Sequence, residues 1–409
     1  MRVLILSHGH PRFSKGGAEL AAYALYRDIN ALPGHEAFFA GCAAANLFDA
    51  VNQVTAISPR EYLITSQAEI MFLNASISLD DRGDLAALLR TLRPDAIHFH
   101  HYFILGVELI RVARRVCPNA RIILTLHEFM ALCVHNGQMI KTDHSLCYRS
   151  SPLDCHRCFP ERPVTEFFLR ERYIKSFFAL VDCFIAPSHF LAQRYISWGL
   201  PAERLKVLEN LIAEAPRLPP RSLNEGESRS RFAYFGQLTP YKGVDLLIDA
   251  FSRLPQSLKR VSLDIFGGGL DRFGEAFERR IRDLLDANTK RVRWHGPYEP
   301  EELPGLMAAI DWVVMGSIWW ENSPLVIQEA FRLGRPVICP NLGGMAEKVT
   351  HGVSGLHFRA RDPQDLAQTV QRAMTEPGLW ERLAVGLPQP APPAETLAAH
   401  LALYEGELS

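Results

Sequence analysis

The sequence predicts an α/β protein made of two parallel-sheet domains, and three observations carry that expectation. Short apolar runs alternate with longer amphipathic ones, the pattern of parallel strands covered by helices. At 409 residues the chain is too long for one typical core, so two domains of roughly 150–200 residues are the natural division. Between two series of strand candidates lies residues 215–231, rich in Pro, Ser and charge and poor in apolar side chains, which reads as a linker.

In chain order, the first series of strands is expected at 3–6, 38–41, 96–100, 121–126 and 183–186. A long helix at 18–32 follows Gly16 and Gly17, and a shorter one is expected at 85–92. The second series is expected at 232–235, 261–266, 292–295, 312–315 and 337–339, with a helix starting at Val244. These divisions give an N-terminal domain over 1–214, a linker over 215–230 and a C-terminal domain over 231–386. The remainder, 387–409, is a Pro-rich segment and a helix at 396–407, read as returning to the first domain or ending as a frayed tail.

Composition narrows the functional classes. Lys and Arg number 44 against 45 Asp and Glu, and residues 1–214 hold 22 basic and 21 acidic side chains. Without a basic field, nucleic acid is not an expected partner. RVLILS follows Met1 directly, with no basic leader and apolar core ahead of a cleavage site, and no apolar run approaches the ~20 residues of a membrane span. The expectation is a cytoplasmic protein. Eight cysteines are too sparse for a disulfide scaffold.

The most informative stretch is WWENSPLVIQEAFRLGRPV. Ser323 suits an N-cap, Pro324 the first helical position and Gly334 the residue past the end, so a helix is expected over 324–333. Glu321 then lies in the loop before the helix and Glu329 between one and two turns inside it. The unpaired first-turn N–H groups near Asn322, Ser323, Pro324, Leu325 and Val326 would favour phosphate between the two carboxylates. Two solvated glutamates on a surface helix would show the same spacing. In the first half, Gly16 and Gly17 occupy the first βα turn, a common ligand-binding place, and His127 ends an apolar strand where side chains emerge from such sheets.

Glu321 and Glu329 with seven residues between them resemble the E-x7-E signature of retaining GT-B glycosyltransferases of family 4. Other segments match that family: FAYFGQLTPYKGVDLLIDAF with G-x-L-x-x-x-K-G, LDIFGGG, VRWHG, and RPVICPNLGGMAEKV after the E-x7-E helix. GGAE, LHE and APSHF match in the first half. The resemblance implies two Rossmann-like domains facing across a cleft. It implies that the second domain binds a nucleotide-diphosphate sugar, UDP- or GDP-linked, for transfer to a saccharide or lipid-linked acceptor. Catalytic roles fall on His127, Lys242 and Glu321. Donor binding falls on Gly16, Gly17, Gly236, Gln237, Lys242, Glu321, the 322–326 segment and Glu329. Glu321 would meet the sugar hydroxyls, Glu329 the ribose, and Lys242 the diphosphate in place of a metal ion, so no cofactor is required for catalysis. Gln237 departs from the pattern, because the family usually has an arginine there, which brings charge that glutamine lacks. The acidic run DDRGD at 80–84 lacks the strand-end context of a metal-binding DxD and reads as a solvated turn.

Cys133, Cys147, Cys155 and Cys158 cluster in a polar loop (133–160) and offer four thiolates for a structural zinc ion; free thiols, a disulfide or an iron–sulfur cluster are the alternatives. In RPVTEFFLRERYIKSFFALVDCF, Phe167, Phe168, Phe177 and Phe178 interleave with Arg170, Arg172 and Lys175. Helical spacing favours burial, with peripheral membrane contact as the alternative. A nucleotide-sugar epimerase or phosphorylase, or a silent sugar-binding subunit, would share the architecture. A nicotinamide dehydrogenase is disfavoured, because Arg272 stands where G-x-G-x-x-G needs its last glycine.

Overall fold

A computed structural model describes residues 1–13, 16–43, 53–67, 69–75, 82–258 and 260–407. Asp80 and Asp81 of the acidic turn lie outside the described residues. The chain divides into two compact units, Met1–Ala213 with Pro392–Ser409, and Glu214–Ala391.

The first unit runs β1 (Arg2–Ser7), α1 (Gly17–Asn30), β2 (Glu36–Ala43), β3 (Val54–Ser58), β4 (Glu61–Thr65), α2 (Asp84–Leu92), β5 (Ala96–Phe99), α3 (Leu109–Val116), β6 (Arg121–Thr125), α4 (Pro152–Cys158), α5 (Val164–Phe178), β7 (Cys183–Ala186), α6 (His189–Trp198) and β8 (Leu205–Val207). Among the described residues the sheet order is β3-β4-β2-β1-β5-β6-β7-β8. Only β3 against β4 is antiparallel. Every residue of β1 after Arg2 is buried, as expected of a parallel strand covered on both faces. Because β1 is paired with β2 on one side and β5 on the other, the strand order reverses there. Ligands of such sheets sit outside the carboxyl ends at that reversal.

The second unit runs β9 (Arg231–Phe235), α7 (Val244–Ser252), β10 (Ser262–Phe266), α8 (Glu275–Ala287), β11 (Val292–Gly296), α9 (Leu303–Ala308), β12 (Trp312–Val314), α10 (Leu325–Arg332), β13 (Val337–Pro340), α11 (Gly343–Lys348), β14 (Gly355–Phe358), α12 (Pro363–Thr375) and α13 (Leu379–Val385). Its sheet is parallel throughout, in the order β11-β10-β9-β12-β13-β14. The reversal falls between β9 and β12, so the loops after these two strands border the same crevice. Phe232, Leu247, Phe251, Leu263, Ile265, Trp312 and Ile338 centre the core.

The Pro-rich segment before β9 has no regular structure, yet it is fastened to the second unit. Asp311 is fully buried and takes Arg221 at 2.9 Å and Arg229 at 3.3 Å, while Arg335 donates to the Pro219 carbonyl. A buried carboxylate requires such partners. The last helix, α14 (Pro393–Glu405), belongs to the first unit and packs on α1 and β6. Among the described residues no helix is long and apolar enough to cross a membrane.

Three local expectations change. The E-x7-E helix begins at Leu325, and Pro324 is its N-cap with no side-chain cap. Ser323 is not the cap because extended Pro324 intervenes, and its hydroxyl accepts from Gln328 instead. Helix α1 starts at Gly17 and ends at Asn30. Strands β3, β4, β8 and β14 add to the sequence-derived set; β3, β8 and β14 are edge strands, and β4 lies between β3 and β2.

Candidate functional site

After β9 the chain passes Gly236 and Gln237, whose carbonyl accepts the Tyr234 hydroxyl at 2.8 Å. The Gln237 side chain is exposed. Gly243 caps α7 at φ +66°, and a Cβ there would lie 2.0 Å from the Gly316 carbonyl oxygen. Only glycine allows this approach between the loops after β9 and β12. The result is that Lys242 Nζ meets Glu321 Oε1 at 2.6 Å, although the two are 79 positions apart. The same oxygen accepts Ser317 Oγ at 2.7 Å and Trp319 Nε1 at 3.1 Å. Burial alone would raise the Glu321 carboxyl. The Lys242 charge and hydrogen bonds from Lys242, Ser317 and Trp319 outweigh it and hold the group below its ordinary range.

Helix α10 begins four residues later, and the first-turn N–H groups of Leu325 and Val326 have no intrahelical partner. Glu329 lies one turn further on. Glu329 is half-buried, and burial pushes its pKa up to about 7, with no cation opposing. The loop carrying Glu321 is clamped from α11. Gly344 N–H donates to the Glu321 carbonyl at 2.7 Å, and a Cβ on Gly344 would fall 1.7 Å from the Asn322 carbonyl oxygen. The structure therefore brings Lys242, Glu321 and the start of α10 together and adds Ser317, Trp319 and Gly344. The GG before Met345 is the one signal in the sequence for the clamp.

In the first unit, Gly16 caps α1 in extended conformation, and Glu19 folds back so that its Oε2 would touch a Cβ on Gly16 at 2.4 Å. A carboxylate already faces this helix start. Glu19 also pairs with His8 at 3.4 Å. His127 follows β6, and its Nε2 lies 3.1 Å from His100 Nδ1. Burial first, and the nearby His101 second, push His127 down to about 3, so it works as a neutral imidazole. Behind it, His98 contacts the Tyr404 hydroxyl and Thr125 Oγ1, each at 2.7 Å, and its ring is tilted against His100 with centroids 4.2 Å apart. His101 Nδ1 accepts the Tyr102 and Phe103 N–H groups, which leaves Nε2 to donate to Glu128 at 3.1 Å. Sequence reasoning missed this histidine array; its signal was HFHH at the end of a strand.

The four cysteines Cys133, Cys147, Cys155 and Cys158 are not joined by disulfides. Among the described residues no three His, Cys, Asp or Glu side chains are arranged to hold a metal ion, and all four are free thiols. Burial pushes Cys133 up to about 12 and raises Cys147 and Cys155, so these groups are thiols in the metal-free chain. The sulfurs engage the loop itself: Cys147 Sγ donates to the Arg149 carbonyl at 3.2 Å, and Cys158 Sγ accepts the Thr142 N–H at 3.3 Å.

Comparison with known proteins places both units. Residues 219–385 match the family model described as glycosyl transferases group 1, and residues 15–214 match that of Glycosyltransferase Family 4. The D-inositol 3-phosphate glycosyltransferase of Frankia alni is 33% identical over 161 residues, 37% of this chain and 39% of that protein. The lipopolysaccharide 1,2-N-acetylglucosaminetransferase of Salmonella typhimurium is 26% identical over 202 residues, 47% of this chain and 53% of that protein. The chain spans about two fifths of the length of the first curated relatives it matches. Among solved structures, Anabaena HepE in complex with UDP and glucose has a TM-score of 0.68 at 20% identity, covering 99% of both chains. That likeness establishes the fold.

Proposed function

We propose that this chain, which belongs to the glycosyl transferases group 1 family with its family 4 N-terminal part, transfers a glycosyl unit from a nucleotide-diphosphate sugar to a hydroxyl acceptor. The configuration at the anomeric carbon is retained and no metal ion takes part. The observation that carries this reading is the Lys242–Glu321 pair at 2.6 Å beside the start of α10, with Glu329 one turn inside. Departure of a nucleoside diphosphate needs fixed positive charge at the β-phosphate. Lys242 supplies a point charge and the Leu325 and Val326 N–H groups supply dipoles. Glu321 Oε2 accepts the donor sugar's hydroxyls, and Glu329 accepts those of the ribose.

The bond between the anomeric carbon and the β-phosphate oxygen breaks, and the acceptor oxygen bonds to the same face of that carbon. Its proton passes to the departing phosphate oxygen. The 1–214 segment is read as the acceptor-side domain, with His127 as a neutral hydrogen-bonding group. At the helix start beside Gly16 and Gly17, the carboxylate of Glu19 makes a hydroxyl a better guest than a phosphate. HepE, bound to UDP and glucose, and the Salmonella lipopolysaccharide transferase support a nucleotide-sugar donor and a role in bacterial polysaccharide or glycolipid synthesis.

Thermal-shift screening against UDP-, GDP-, ADP- and dTDP-sugars identifies the donor, since a ligand of the native state raises its stability. Donor turnover is then expected to survive EDTA and to disappear in Lys242→Ala and Glu321→Ala. The anomeric signal of the product is expected to keep the donor's configuration. An inverted product, or activity lost to EDTA and restored by manganese, refutes the reading.

A further inference from the structure

Not one residue between positions 141 and 166 is buried, so this stretch has no apolar core of its own to hold its shape. Segments of that kind ordinarily depend on a disulfide or a metal ion. The chain has eight cysteines, and they divide sharply. Cys42, Cys183 and Cys339 are buried in strands, and Cys117 follows α3. The other four, Cys133, Cys147, Cys155 and Cys158, all belong to the coreless stretch or its entrance.

The backbone carries these four to one place. A hairpin closed by the Ile140–Leu146 bridge sets the Cys147 N–H 2.8 Å from the Met139 carbonyl, and the Met139 N–H donates to the Cys133 sulfur. Thr142, on the same hairpin, donates its N–H to Cys158 Sγ at 3.3 Å. Cys155 lies one turn before Cys158 on α4, with its sulfur 3.7 Å from Ser150 Oγ, which donates to the Leu132 carbonyl next to Cys133. No three sulfurs meet at one point; each is turned to a loop partner through contacts of the weak thiol kind. Beside them lies a buried cation. Arg170 is 4% exposed, donates to the Met130 and Ala131 carbonyls, and its Nε has no partner. Glu171 next to it pairs with Lys175, and among the described residues no carboxylate pairs with Arg170. The groups acting on its charge are Tyr102, Cys133, Cys155 and Tyr195, whereas a buried cation ordinarily has an anion opposite. Arg194 stands in the same relation to Cys147.

We propose that Cys133, Cys147, Cys155 and Cys158 bind one zinc ion that fastens the loop between β6 and α5. Binding turns the four sulfurs inward; four S–H bonds break, four protons leave to solvent, and four Zn–S bonds of about 2.3 Å form. The resulting tetrathiolate carries two net negative charges, which supply the anion that Arg170 and Arg194 face. Four thiolates select zinc over magnesium or manganese, which prefer oxygen ligands. The ion is structural and stands apart from the sugar-transfer reading, which needs no metal and is tested with manganese.

Metal analysis of the full chain tests it. Protein produced in zinc-supplemented medium and dialysed into metal-free buffer is expected to keep about one zinc per chain by plasma mass spectrometry, and to release it to a cysteine-directed mercurial. Cys155→Ser with Cys158→Ser is expected to lower the zinc content at least about tenfold, while Cys117→Ser, outside the loop, keeps it. Should the double variant misfold, cadmium exchanged into the wild-type chain carries the comparison, with the ultraviolet absorption of cadmium–thiolate bonds expected to saturate at about one ion per chain. A wild-type chain that holds no zinc, or iron in its place, would overturn the proposal. So would zinc retained by the double variant, or a disulfide between two of the loop cysteines in the intact protein.

Discussion

Replacing Lys242 with methionine removes the cation from a buried carboxylate and leaves its other contacts in place. Glu321 has 8% of its side chain exposed and Lys242 27%. Breaking a buried pair from one side costs about 3–5 kcal/mol; partial exposure of the lysine screens some of that, leaving about 2–3 kcal/mol. For a unit of this size the loss corresponds to a fall in melting temperature of about 4–12 °C. The pH dependence gives the sign. In the wild-type protein the Glu321 pKa is depressed, so its stabilisation is present above the unfolded value and fades as pH falls through the folded one. Without Lys242, burial dominates and the carboxyl is raised, so acid protonates it and relieves the defect. Calorimetric melts of both proteins at pH 5 and pH 7.5 should therefore differ more at the higher pH, and Glu321→Gln should rescue Lys242→Met. An equal difference at both pH values, or a variant as stable as wild type, refutes the reasoning.

Because Glu329 is raised to about 7 and ribose hydroxyls donate to the ionised form, nucleotide affinity should climb from pH 6 to pH 8 and level off; titration calorimetry on Glu329→Gln should show a flat, weaker profile. Gly344→Ala forces the Asn322 carbonyl away from a position 1.7 Å from the new methyl group, at about 1–3 kcal/mol. Displacing Glu321 with it should cut turnover on the order of 100-fold, read from initial rates. Tyr404→Phe leaves buried His98 without its 2.7 Å partner, which should cost about 1–2 kcal/mol in denaturant melts of the first unit.

The strands of both sheets were legible because parallel strands buried on both faces read as unbroken apolar runs, as in RVLILS and RFAYF. The edge strands were not, since VTAIS is largely uncovered and LKV is three residues long. Helix α10 was legible from Gly334 and Pro336, but its first turn was misread by one residue, because Ser before Pro satisfies a cap rule that the proline's own extended geometry overrides. Glu321 and Lys242 stood out only through motif spacing. That they touch depends on Gly243 and Gly316 passing within a methyl group's width, which no local pattern encodes. Ser317 and Trp319 acquire their roles from the fold alone. In the cysteine loop the spacing suits a metal, and the fold adds hydrogen bonds to the thiols that no spacing encodes.

The most direct test is a crystal structure of the chain with the nucleotide-diphosphate sugar chosen by the thermal-shift screen. The β-phosphate should lie within hydrogen-bonding reach of Lys242 Nζ and the Leu325 and Val326 N–H groups, with the ribose on Glu329 and the sugar on Glu321 Oε2. A diphosphate bound anywhere else, with the Lys242–Glu321 pair undisturbed and unvisited, would contradict the account.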